Sequence, residues 1–64
     1  MGLTEEVVAV VRKAALLNAF RHGGRAEVGA VIGRVLAERP DLRPVTKEFA
    51  ELCSQTVREI NQLS

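Results

Sequence analysis

Apolar residues recur along this chain at helical intervals, and two breaks divide them into three runs. In the first run Val8, Val11 and Ala15, with Val7, Val10, Ala14 and Leu17 beside them, follow the steps of one helix face, and Phe20 extends the stripe. Thr4 followed by Glu5 and Glu6 predicts the start: a hydroxyl caps free N–H groups, and the carboxylates complement the positive end of the helix dipole. Gly23-Gly24 predicts the end, because a glycine just past a helix takes the left-handed conformation that closes the last turn. The second run extends from about Glu27 to Ala37, with Val28, Val31, Ile32, Val35 and Leu36 on one face.

Arg39-Pro40-Asp41-Leu42-Arg43-Pro44 is the second break, since two prolines so close cannot sit inside one regular helix. Pro44 suits the first turn of a third helix running to about Gln62. Its inner face carries Val45, Phe49, Leu52, Cys53, Val57, Ile60 and Leu63, with Thr56 filling a gap in the stripe. Lys47, Glu48, Glu51, Gln55, Arg58, Glu59 and Gln62 make a solvated outer face, where Glu51, Gln55 and Glu59 stand at four-residue steps. The pattern therefore predicts an all-α fold, a small three-helix domain with helices at about 5–22, 27–37 and 44–62.

Sixty-four residues make one domain, 1–64, and a domain this small buries only about 60% of the surface its unfolded chain exposes. Its core is thin, and a deep reaction pocket would compete for the same side chains. Gly29 and Gly33 lie four apart beside the second stripe, each costing up to about 1 kcal/mol relative to Ala. Two readings account for them: close packing between helices, or close approach of an outside backbone such as RNA or a partner helix.

Net charge is +1, far below that of a dedicated DNA-binding protein. The positive bias sits in residues 21–43, where five arginines face Glu27, Glu38 and Asp41. Cys53 is the single cysteine, so no internal disulfide forms, and beside Phe49 and Leu52 it reads as a core residue. His22 is the single histidine, so no two-histidine metal site exists, and a zinc site lacks a second cysteine. Gly23-Gly24 lacks the Gly-Lys-Ser/Thr ending of a phosphate-cradling loop, and Glu5-Glu6 are dipole partners rather than an acid–base pair. No catalytic residue, metal ligand or cofactor is expected within these residues. The N-terminus has no secretory pattern, and the longest apolar run, Val7 to Val11, is far short of the ~20 residues a bilayer needs, so a cytoplasmic setting is expected with no membrane partner.

One segment retains chemistry. In Arg21-His22-Gly23-Gly24-Arg25 two arginines flank a turn that exposes backbone N–H groups, an arrangement phosphate oxygens favour. Arg34 would project from the second helix, and Arg39 and Arg43 from the next loop. The plainer reading is an ordinary basic helix C-terminus, with His22 as a capping or turn residue.

The order of these pieces resembles the N-terminal extension of archaeal-type glutamyl-tRNA synthetases. Ala15, Asn18, Ala19, His22, Gly23 and Gly24 match an Ala-x-x-Asn-Ala-x-x-His-Gly-Gly helix end; Gly29, Ala30, Val31, Gly33 and Val35 match a Gly-Ala-Val-x-Gly-x-Val helix; Pro40, Leu42 and Arg43 match a Pro-x-Leu-Arg turn. The likeness covers nearly the whole chain. A looser one joins it to the helical tail of tRNA-dependent amidotransferase B and E subunits, through a Val-Gly-x-Val helix. The family carries Lys where Arg21, Arg25 and Arg34 stand; Arg keeps the charge and adds bidentate pairing.

The resemblance implies a parent enzyme that joins glutamate to its tRNA with ATP and Mg²⁺. The class I signatures, a His-Ile-Gly-His-like and a Lys-Met-Ser-Lys-Ser-like motif, are not in this chain and would lie beyond residue 64. The chain is then expected to be a non-catalytic N-terminal module, whole or excised. Arg21, His22, Gly23, Gly24, Arg25 and Arg34 would contact tRNA. Alternatively the chain docks on the parent enzyme's body or on other synthetases, through Gly29 and Gly33.

Overall fold

The computed structural model describes residues 4–63. Three α-helices account for most of them: α1, Glu5–Arg21; α2, Val28–Glu38; and α3, Lys47–Leu63. A single 3-10 turn, Pro40–Leu42, follows α2, and no strand occurs among the described residues. The sequence-based boundaries hold within a residue for α1 and α2. Thr4 caps α1 as expected, its hydroxyl accepting from the Val7 N–H.

α3 begins three residues later than the prolines imply. Pro44 follows a cis Arg43–Pro44 peptide bond and lies outside the helix. Thr46 makes the start instead: its Oγ1 accepts from Phe49 N at 3.1 Å, and its carbonyl accepts from Ala50 N at 3.0 Å. A proline at the first helical position only avoids wasting a donor, whereas a threonine hydroxyl satisfies one.

Two long-range contacts set the directions of the helices. Arg39, just past α2, donates from Nη1 to Glu6 Oε1 at 3.0 Å, which brings the end of α2 to the start of α1. Asn61, in the last turn of α3, bonds the backbone of Ala26, just before α2. α2 thus runs against α1 and α3, which run the same way, and each helix packs on the other two.

Val11 and Ala15 from α1, Val31 and Val35 from α2, and Phe49 and Cys53 from α3 fill the centre, none more than 2% exposed. Ala14 and Ala19 extend the α1 contribution, their small side chains letting helix axes approach. Burial pushes the Cys53 thiol above its ordinary pKa, so it stays neutral.

Four expected core positions are exposed. Phe20 is 88% exposed because core contact follows the line Val7, Val11, Ala15, Ala19, and Phe20 stands about 100° around the helix from Ala19. Leu63, in the last turn of α3, is 85% exposed; Val45 lies outside the helix and is exposed with Val8. Gly29 and Gly33 also depart from the close-packing reading: a Cβ built on either meets nothing within 4 Å, so packing inside this chain does not require them.

Arg39 is a junction rather than a free cation. Besides Glu6, it holds Asp41 in a two-bond fork, Nε to Oδ1 and Nη2 to Oδ2, each at 3.0 Å. Those hydrogen bonds hold the Asp41 carboxyl below its usual range and raise the guanidinium. The sign follows: a lowered carboxyl pKa stabilises the fold above the ordinary value near 3.8 and fades as pH falls through the lowered one. Both groups meet solvent, so the effect is small.

Phe49→Ala is expected to cost about 3–5 kcal/mol, comparable to the whole stability of a domain this size, and to leave the chain unfolded in water. Phe20→Ala should change stability by less than about 0.5 kcal/mol, read by urea denaturation with helical circular dichroism. In the same assay Gly33→Ala should stabilise by about 0.5–1 kcal/mol, because helix propensity improves and nothing is displaced; a loss would place a packing partner there.

Candidate nucleic-acid interface

The corner between α1 and α2 is built by glycine geometry and two asparagines. Gly23 and Gly24 carry φ of 71° and 97°, values that L side chains rarely adopt. They let the chain reverse so that Gly24 N donates back to Ala19 O at 2.7 Å, while His22 N donates to the Asn18 and Ala19 carbonyls. Two asparagine side chains hold the residues that follow. Asn18 Oδ1 accepts from Glu27 N at 2.8 Å across the corner. Asn61 takes both backbone groups of Ala26, accepting from its N–H at 2.7 Å and donating to its carbonyl at 3.1 Å. Ala26, 4% exposed, is pressed into the core beneath the turn.

On this scaffold Arg21, His22, Gly23 and Arg25 are exposed. Arg21 ends α1, His22 is its C-cap, and Arg25 stands two residues ahead of Glu27, the N-cap of α2. No carboxylate of the described residues pairs with Arg21 or Arg25. Glu27 is the one acid in the corner, exposed and outside any ion pair. α2 starts without a side-chain cap, and the N–H groups of Val28, Gly29 and Ala30 find no acceptor among the described residues. The corner therefore offers two unneutralised guanidinium groups beside the positive end of a helix, which is chemistry for binding an oxyanion.

The other predicted cations are placed differently. Arg34 lies about 9 Å along α2 from Val28, and its Nε sits 3.6 Å from Glu38 Oε1. Arg39 is held by Glu6 and Asp41. The structure thus brings Arg21, His22, Gly23, Gly24 and Arg25 together and sets Arg34 apart with a carboxylate.

Three residues escaped the sequence reading. Asn61 had no assigned role, and nothing local marks a residue whose partner is 35 positions away. Arg12 and Lys13 are also exposed and unpaired. The available signal was the absence of any Asp or Glu between Glu6 and Glu27, a stretch that holds Arg12, Lys13, Arg21 and Arg25. No group of three or more metal-ligating side chains occurs among the described residues, and no helix there is long and apolar enough to cross a membrane.

Comparison with known proteins finds glutamate–tRNA ligases among its relatives. The chain is 53% identical over 49 residues to the glutamate–tRNA ligase of Hyperthermus butylicus, covering 77% of this chain and 8% of that ligase. It is 48% identical over 60 residues to the glutamate–tRNA ligase of Thermococcus kodakarensis, covering 94% of this chain and 10% of the relative. With the glutamate–tRNA ligase of Sulfurisphaera tokodaii it shares 42% over 60 residues, covering 94% and 11%. The chain spans about a tenth of the length of these relatives. No protein-family model and no solved structure matches it.

Asn61→Ala is expected to destabilise the fold by about 1–3 kcal/mol, since it leaves buried backbone groups of Ala26 unpaired. Gly23→Ala should cost about 1–2 kcal/mol through its left-handed φ alone, although open space surrounds the position. Thermal unfolding of both variants checks this: equal stability of Asn61→Ala and the parent would remove the asparagine clamp from the account.

Proposed function

This chain is homologous to a segment, about a tenth in length, of archaeal glutamate–tRNA ligases, and on that premise we propose that it is a non-catalytic accessory domain contributing to tRNA contact. The observation that carries the proposal is the exposed Arg21–Arg25 pair, free of carboxylate partners, on a corner clamped by Asn18 and Asn61. A guanidinium pairs with phosphate oxygens through two parallel N–H donors, and the uncapped start of α2 supplies backbone donors beside it. His22 adds a ring donor or acceptor at the same corner. Gly23 and Gly24 keep side chains out of the way, and the open face at Gly29 permits close approach of a backbone. Arg34 stands as a secondary contact, since a phosphate would have to compete with Glu38 for it. As the N-terminal module of a longer ligase, the domain would orient tRNA in the cytoplasm while residues outside this chain use ATP and Mg²⁺ to join glutamate to it.

Few charges take part, so affinity should be weak and sensitive to salt. Two phosphates neutralised by Arg21 and Arg25 predict about a tenfold loss of tRNA affinity between ~50 and ~200 mM salt. Titration of the chain with tRNA at both concentrations is the check. Arg21→Ala combined with Arg25→Ala should flatten most of that dependence, and Arg34→Ala should change it less. Affinity indifferent to salt, or unmoved by the double substitution, overturns the reading.

A further inference from the structure

The large apolar side chains left outside the core are unevenly placed. Leu16, 52% exposed, and Leu63, 85% exposed, line a groove of about 400 Å³ between α1 and α3, with Ile60 in the lining and Arg12, Glu59 and Gln62 as polar lining residues. Phe20, 88% exposed, follows Leu16 by one turn on the same side of α1. Because Asn61 ties the last turn of α3 to Ala26, this apolar patch lies at the same end of the molecule as the basic corner. Apolar groups together with polar ones are the composition of a protein contact.

Area decides among the occupants. Leu16, Phe20 and Leu63 together present roughly 400 Å² of apolar surface, about half the ~800 Å² per partner of a stable interface. A second copy arriving from solution would gain too little. A partner tethered in the same chain needs less, since contacts within a chain begin near ~600 Å² in total and a short linker supplies a millimolar effective concentration. The ligases that match this chain are about ten times its length. We propose that the Leu16–Phe20–Leu63 patch is the seat of the remainder of a glutamate–tRNA ligase chain, an apolar surface that packs on it and aims the Arg21–Arg25 corner. This assignment rests on the accessory-domain reading, and it moves docking from the Gly29–Gly33 face of α2 to the groove between α1 and α3.

Maleimide labelling of single introduced cysteines tests it, since the native Cys53 is buried and its thiol neutral. Leu16→Cys and Leu63→Cys are compared in the 64-residue chain and in the full-length ligase that carries it, with Gln55→Cys on the solvated face of α3 as control. Expected is at least tenfold slower labelling at both positions in the full-length ligase, with Gln55→Cys unchanged. Equal rates overturn the proposal. So does slowing in the isolated chain that grows with protein concentration, which would assign the patch to a second copy. Slowing in the isolated chain on adding tRNA overturns it as well, in favour of an RNA surface. The tRNA titration reports on Arg21 and Arg25 and the labelling on Leu16 and Leu63, so either reading can fail without the other.

Discussion

Ala26 contributes one methyl group to the core, yet both of its backbone polar groups are held by a single residue 35 positions away. Without the Asn61 amide, that N–H and carbonyl would be shut away from water with no partner, at a cost of the order of a hydrogen bond each. With it, the end of α3, the end of α1 and the start of α2 become one unit. The corner that carries Arg21 and Arg25 is tied down by these bonds, where glycine alone would leave the turn unanchored. A thin core of valines and alanines around Phe49 cannot supply that rigidity by area, so directional bonds have a larger share of the work than in a bigger domain.

The two ends of the bundle treat arginine in opposite ways. At one end Arg39 is occupied, forked onto Asp41 and bonded to Glu6, and it joins α2 to α1. At the other, neither Arg21 nor Arg25 pairs with a carboxylate of the described residues, and asparagines do the joining. Neutral amides can close a turn without cancelling the charge beside it. A corner clamped by ion pairs would hold its arginines in place by neutralising them, and would have little left for a polyanion.

The basic corner and the apolar groove share an end because α1 and α3 run the same way and finish together. A domain of this size has little surface to divide among partners. Were the proposed protein contact and the proposed phosphate contact both made, they would be coupled: whatever seated Leu16, Phe20 and Leu63 would also set the direction of Arg21 and Arg25. The glycines of α2 stand apart from the groove, and they carry a propensity cost that no close packing among the described residues repays.

Helix number, class and the ends of α1 and α2 were legible in the residues, because hydrophobic period, a threonine cap and glycine breaks act within a few positions of one another. The Gly-Gly turn and its flanking arginines were legible for the same reason. The start of α3 was not, since Pro44 and Thr46 competed within three residues and the hydroxyl that satisfies a donor prevailed. Phe20 and Leu63 looked like core by period, but period gives the face of a helix and not how much of that face its neighbours cover. Which arginines stay free, Arg21 and Arg25 rather than Arg34 and Arg39, depends on carboxylates brought close by folding, and the role of Asn61 exists only once α3 lies against the corner. Local rules settle elements; partners far apart in the chain are chosen by packing.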